Sequence, residues 1–94
     1  MDYKLIVLDH LRDLLRGLHP LLKSKIKKAL KKILADPSAG KKLQDELQGL
    51  RSFRVKRFRI IYQVNKQKQI ELVAIGSRKI IYEETFRIIS KEER

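Results

Sequence analysis

Leu50-Arg51-Ser52-Phe53-Arg54-Val55-Lys56-Arg57-Phe58-Arg59-Ile60-Ile61-Tyr62-Gln63-Val64, followed after a polar break by Ile70-Glu71-Leu72-Val73-Ala74-Ile75-Gly76-Ser77-Arg78-Lys79-Ile80-Ile81-Tyr82, decides how this chain folds. Phe53 and Val55 alternate with Ser52, Arg54 and Lys56; Phe58, Ile60, Tyr62 and Val64 alternate with Arg59, Ile61 and Gln63. A period of two marks strands with one face in a core. The opposite face carries mostly guanidinium and ammonium groups, so the reading is a sheet with a cationic face, a surface for a polyanion. Asn65-Lys66-Gln67-Lys68 is a conventional reversal between strands. Lys56-Arg57 is not, because it lacks the glycine, asparagine or aspartate of a tight hairpin. A bulge or a slightly longer loop is expected there.

Upstream, Tyr3 to Leu8 reads as a short strand, and Asp9 is placed to cap the helix that follows. Leu11, Leu14, Leu15 and Leu18 form one helical stripe. Pro20 suits the first turn of a second helix, where its missing N–H has no partner to lose. Leu22, Ile26, Ala29, Leu30 and Ile33 form that helix's buried stripe, and Asp36-Pro37 ends it. Ser38 to Gly49 is a polar connection in which Leu43 and Leu47 suggest a turn of helix. After Gly76-Ser77 the chain turns helical again, with Ile81, Thr85 and Ile88 on one side. The order β-α-α-β-β-β-α argues an α+β fold, an antiparallel sheet with a two-helix hairpin packed on one face.

The chain has 94 residues, which fits one domain spanning 1–94. Lys and Arg number 23 against 11 acids, a formal charge of +12, which draws polyanions, nucleic acid first among them. With no cysteine there is no disulfide framework and no thiolate metal site. No apolar run is long enough to span a bilayer or to act as a signal peptide, so a soluble cytoplasmic protein without a membrane partner is expected. No Gly-rich phosphate loop, HExxH or Ser/His/Asp arrangement is present, and no metal or other cofactor is expected. His10 and His19 sit near helix starts, away from the cationic strands, where structural or solvent roles are expected rather than acid–base catalysis.

What remains is arginines, lysines and tyrosines around the strands. Arg54-Val55-Lys56-Arg57-Phe58-Arg59-Ile60-Ile61-Tyr62 resembles the Arg-Val-Gly-Asp-Tyr-Arg-Val-Ile-Tyr pattern of the RelE/ParE superfamily of type II toxins. Ile75-Gly76-Ser77-Arg78, ending at Tyr82, is similar to the same superfamily's valine-glycine-x-arginine segment. The resemblance covers nearly the whole chain, including Met1-Asp2-Tyr3-Lys4-Leu5, Asp36-Pro37 and Leu47-Gln48-Gly49-Leu50. Lys56-Arg57 departs from the family's Gly-Asp and adds two cations.

The resemblance implies a fold of the RelE/ParE, microbial-ribonuclease-like type. It also implies a toxin whose RelE branch cleaves mRNA in the ribosomal A site, while the ParE branch inhibits DNA gyrase. On the RelE side, Arg59 matches the arginine that stabilises the phosphate transition state. Arg78 matches the second active-site arginine, on the leaving-group side. Tyr82 matches the tyrosine that orients or activates the 2′-hydroxyl. Arg54 and Lys56 fall where that branch places its basic strand residues. Arg51, Arg57 and Lys79, with Lys27 and Lys31 on the second helix, are the expected RNA contacts. Tyr62 is expected in the core. RNA supplies its own nucleophile, so positioning and charge stabilisation are what such a site must provide. The implied partners are a cognate acidic, RelB-like antitoxin, the ribosome with its mRNA, and operator DNA for the toxin–antitoxin complex. A ParE-like gyrase inhibitor and a non-toxic nucleic-acid-binding module are the alternatives.

Overall fold

The computed structural model describes residues 3–77 and 81–92, apart from the side chains at 83, 84 and 90–92. Along the chain run β1 (Lys4–Val7), α1 (Asp9–Arg16), α2 (Pro20–Ala35), β2 (Lys41–Lys42), a 3-10 turn (Asp45–Leu47), β3 (Arg51–Val55), β4 (Phe58–Val64), β5 (Gln69–Ser77) and α3 (Ile81–Glu92). The strands form one five-stranded sheet in the order β1-β5-β4-β3-β2. The α+β class stands. The sheet is antiparallel from β5 through β2, but β1 lies parallel to β5, so it is mixed rather than wholly antiparallel. Parallel pairing follows from the α1–α2 hairpin, which carries the chain back across one face before β3 begins.

That face holds the larger core. Leu11 of α1 and Ile26, Ala29, Leu30 and Ile33 of α2 pack on Val55, Ile60, Tyr62, Ile70, Leu72 and Ile75. The stripe read on α2 is the buried one. On α1 it holds less well: Leu11 is buried, Leu15 and Leu18 are half-buried, and Leu14 is 42% exposed. The helix caps also differ from expectation. Leu8 stands at the N-cap of α1 with no side-chain bond, and Asp9 is already helical. His19 caps α2, its Nδ1 accepting from the Leu21 N–H at 3.2 Å, with Pro20 at the first position. His19 is therefore a structural residue, the role read for it.

The second face is covered at its middle by α3. Leu50, Ile61, Val73, Ala74 and Ile81 form a smaller cluster there, flanked by half-buried Leu43, Leu47, Tyr82, Ile88 and Ile89. The expected cationic face is thus a cationic end. Among the described strand residues, the arginines on this face are Arg54 and Arg59, near the β3–β4 hairpin. A register shift makes the second cluster continuous. Ile61 pairs with Ala74 but Tyr62 pairs with Leu72, which leaves Val73 as the extra residue. The bulge explains why β5 is buried at every position from Leu72 to Ile75 instead of alternating.

The hairpin between β3 and β4 is tighter than expected. Val55 pairs directly with Phe58, so Lys56-Arg57 is a two-residue reversal. It closes because Lys56 adopts φ +55°, a left-handed conformation seldom taken by lysine. Arg54 Nε donates to the Lys56 carbonyl at 3.1 Å and braces the turn. β2 was also unforeseen, since two lysines carry no strand signal. The antiparallel partners Lys41–Ser52 and Lys42–Arg51 define it.

Candidate functional site

At the hairpin end of the second face, pairing sets one row across three strands. Arg54 of β3 stands opposite Arg59 of β4, and Arg59 stands opposite Gly76 of β5. Like charges directly opposite one another weaken a sheet. Among the described residues no acid relieves them, because the one ion pair found is Arg16–Asp13, 3.9 Å apart on α1. Gly76 adds no side chain to the row.

Two residues before Arg54 on β3, Ser52 is 2% exposed. Arg59 Nη1 donates to Ser52 Oγ at 3.5 Å, and Ser52 Oγ lies 3.4 Å from Tyr82 Oη. Tyr82, in the first turn of α3, is half-buried against the smaller cluster, and this seating turns its hydroxyl toward the strands. A guanidinium, a hydroxyl and a phenol from β4, β3 and α3 therefore meet in one place. Both contacts are long, so the three groups are loosely held and free to tighten on a ligand. Arg59 Nε is buried with no hydrogen-bond partner, which leaves the guanidinium's donors under-used by the protein itself.

Ser52 was missed in the sequence, where it stood as one polar residue in an alternating strand. Its signal lay in position: it shares parity with Arg54, and its cross-strand partner Ile61 lies two residues beyond Arg59. Beside Tyr82 an open groove of about 490 Å³ is lined by Glu46, Leu47, Tyr82, Phe86 and Arg87. Phe86 is 46% exposed there. A larger depression of about 640 Å³ lies at the other end of β3, between the 41–51 connection and Val64, and includes none of Arg54, Arg59 and Tyr82.

The other residues singled out in the sequence are divided. Arg78 and Lys79 lie outside the described residues. Arg54 joins Arg59 in the row. Lys56 does not: it is exposed at the hairpin tip, in the left-handed position of the turn. Lys56, followed by burial and then the charges of Lys56 and Lys28, holds the Lys25 ammonium below its ordinary pKa. Arg57 is exposed at the tip. Lys27 and Lys31 are exposed on α2, on the helix-hairpin side of the sheet. Arg51 serves the fold: its Nη1 donates to the carbonyls of Gly40 at 2.8 Å and Ser38 at 3.3 Å. Tyr62 is fully buried, as read.

The family model described as "ParE toxin of type II toxin-antitoxin system, parDE" matches residues 6–82. The chain belongs to this toxin family. Its membership agrees with the RelE/ParE resemblance carried by the β3–β4 and β5 segments. No curated protein matches the sequence. Among solved structures, the toxin is similar to a double mutant of Escherichia coli toxin RelE in the free state. The TM-score is 0.77 at 22% identity, covering 98% of this chain and 98% of that one. It is similar to the toxin–antitoxin complex RelBE2 from Mycobacterium tuberculosis, with a TM-score of 0.72 at 22% identity over 83% of this chain and 100% of that one. The archaeal RelE–RelB complex from Pyrococcus horikoshii gives 0.69 at 21% identity over 84% and 98%. At such identities the likeness is one of fold. Among the described residues no helix is long and apolar enough to cross a membrane.

Proposed function

We propose that this toxin is a metal-independent endoribonuclease that cleaves mRNA in the ribosomal A site. The observation that carries the reading is the meeting of Arg59, Ser52 and Tyr82 beside Arg54, with no acid among the described residues to neutralise it. In the reaction the ribose 2′-oxygen attacks the adjacent phosphorus. The 2′-O–P bond forms as the P–O5′ bond breaks, leaving a 2′,3′-cyclic phosphate and a 5′-hydroxyl. Arg59, with Arg54 beside it, carries the charge that builds on the non-bridging oxygens through charge-assisted hydrogen bonds. Tyr82 orients the 2′-hydroxyl and takes part in removing its proton. Arg78, assigned from the sequence segment it shares with the family, serves the departing 5′-oxygen. No histidine joins the cluster, so catalysis on free RNA is slow, and the ribosome supplies the positioning that the toxin lacks.

The same reading gives the toxin an acidic, RelB-like antitoxin, a cytoplasmic setting, and operator DNA as a target of the joint complex. An acidic partner neutralises the hairpin end. Displacing α3 takes Tyr82 away from Ser52, a direct route to inhibition. A second reading, inhibition of DNA gyrase, is favoured by the family match itself, which is to the ParE toxin.

Primer extension on a defined mRNA, translated with and without ribosomes, tests the proposal. Wild type is expected to give ribosome-dependent A-site cuts that vanish in Arg59→Ala and weaken in Tyr82→Phe. Growth arrest with intact mRNA, undiminished in both variants and accompanied by loss of supercoiling activity, would replace the endonuclease with the gyrase inhibitor.

A further inference from the structure

Tyr82 borders two places at once. Its hydroxyl lies 3.4 Å from Ser52 Oγ, in the Arg59–Ser52–Tyr82 site, while its side chain lines the open groove of about 490 Å³ shared with Glu46, Leu47, Phe86 and Arg87. The proposed chemistry uses the hydroxyl and leaves the groove unused. Phe86 follows Tyr82 by four residues, which puts the two rings on one face of α3. Glu46 and Leu47 reach the groove from a separate element, the 3-10 turn.

The seating of α3 does not explain Phe86. Ile81 and Thr85 are fully buried, and Ile88 and Ile89 pack half-buried on the smaller core, whereas Phe86 is 46% exposed. An open ring next to a site for RNA is a platform on which a base can stack. Charge decides which part of an RNA enters. Glu46 is exposed at the groove and repels a phosphate and an acidic peptide alike. A nucleobase is neutral and flat, with polar edges. Its N–H donors suit the Glu46 carboxylate, and its acceptors suit the Arg87 guanidinium. No ion pair joins Glu46 to Arg87 among the described residues, so neither neutralises the other. The groove's volume falls in the range of about 300–1,000 Å³ usual for small-ligand sites, ample for one base.

We infer that the groove between Leu47 and Phe86, with Glu46 and Arg87 at its rim, is the subsite for the base of the nucleotide whose 2′-hydroxyl attacks. The inference rests on the proposed function in taking RNA as substrate and Tyr82 as the group beside that hydroxyl. In a ribonucleotide the base is carried on the carbon next to the one bearing the 2′-oxygen. A nucleotide presenting its 2′-hydroxyl to Tyr82 therefore holds its base within reach of the groove that the same tyrosine lines. Phosphate, ribose and base each then have their own contact, in Arg59, Tyr82 and Phe86.

The test is equilibrium binding of a short single-stranded 2′-O-methyl oligoribonucleotide, which cannot be cleaved, made as a series with one base at a time replaced by an abasic unit. In wild type one position is expected to dominate, its abasic form binding roughly 5- to 100-fold more weakly. Phe86→Leu keeps an apolar side chain and removes the ring face. It is expected to weaken the intact probe by a similar factor and to abolish the abasic penalty at that position alone. The slope of log K against log salt is expected to stay unchanged, because no phosphate contact is removed. Phe86→Trp is expected to restore the penalty, and thermal unfolding verifies that both variants fold. Abasic penalties equal in wild type and Phe86→Leu at every position would overturn the subsite. So would weakened binding with a lowered salt slope, which marks a displaced α3 rather than a lost base. Unchanged RNA binding in Phe86→Leu, with self-association of the wild type lost in sedimentation, would assign Phe86 to a contact between copies instead. The readout needs no cleavage. Intact mRNA on ribosomes with a Phe86-dependent penalty would remove the nuclease and keep the base subsite, and cut mRNA without that penalty would remove the subsite alone.

Discussion

Tyr62 offers the sharpest test of how the site's scaffold is held. Its ring is fully buried in the larger core, and its hydroxyl reaches out of the sheet into the 36–42 connection. There it donates to the Pro37 carbonyl at 2.7 Å and accepts from the Gly40 N–H at 2.9 Å. Tyr62→Phe keeps the packing and removes only the hydroxyl. Both backbone groups then lose their partner, and at about 1–3 kcal/mol for each stranded buried group the expected loss is about 2–4 kcal/mol. For a domain of this size that lowers Tm by on the order of 10–20 °C. Arg51 braces the same connection through the Gly40 and Ser38 carbonyls, so Tyr62→Phe and Arg51→Ala are expected to be non-additive by at least about 0.5 kcal/mol. Urea unfolding of the two single variants and the double variant provides the cycle. A Tyr62→Phe loss below about 0.5 kcal/mol would refute the reasoning, because it would mean that water replaces the hydroxyl at no cost.

Burial raises the Tyr62 phenol above its ordinary value of 10.0, outweighing the Gly40 hydrogen bond and the Arg51 charge that act to lower it. The folded state thus holds its proton longer than the unfolded one, and this stability is complete below about pH 10 and drains away above it. Unfolding measured from pH 9 to 12 is expected to show that decline in wild type and a shallower one in Tyr62→Phe. Gly40→Ala places a Cβ 2.6 Å from the Tyr62 hydroxyl oxygen, so a loss of about 1–3 kcal/mol is expected by calorimetry. Lys56→Gly relieves the left-handed strain at the hairpin and is expected to raise stability by about 1 kcal/mol in urea unfolding. Ser52→Ala is expected to lower ribosome-dependent cleavage roughly 10- to 100-fold through lost positioning, with Ser52→Thr restoring part of it and neither variant unfolding early.

The fold was legible where one rule governed a segment. The α2 stripe, the stop at Asp36-Pro37 and the β3–β4 alternation each obeyed a single period. What escaped was tertiary. β5 is apolar on both sides because a bulge at Val73 and the docking of α3 bury both faces, and a continuous apolar run does not announce which of its residues face which way. β2 exists only through its partners on β3. The tight turn at Lys56-Arg57 depends on a brace from Arg54 that no turn propensity encodes. At the site, Arg54, Arg59 and Tyr82 were legible as charge and as family spacing. Ser52 was not, because a buried serine between an arginine and a tyrosine acquires meaning only once strand register brings the three together. Parity also fails at a turn: Lys56, which continues the strand alternation in the sequence, stands at the hairpin tip.

The division into two cores bears directly on control. The larger core ties α1 and α2 to the sheet and does not need α3. The smaller one seats α3 and with it Tyr82, while Arg59 and Ser52 belong to strands held from the other face. Burying Ile81 alone is worth about 1.5–3 kcal/mol, and the half-buried Tyr82, Ile88 and Ile89 add less each. Undocking α3 therefore costs only a few such side chains, within reach of a binding partner, while the sheet and its arginines persist. If the proposed site is the active one, removing α3 would take away one of its three elements without unfolding the other two. Hydrogen exchange should accordingly report lower protection in α3 than in β3 and β4. Equal protection throughout would mean that the two cores unfold as one unit and that inhibition must act by covering the site instead.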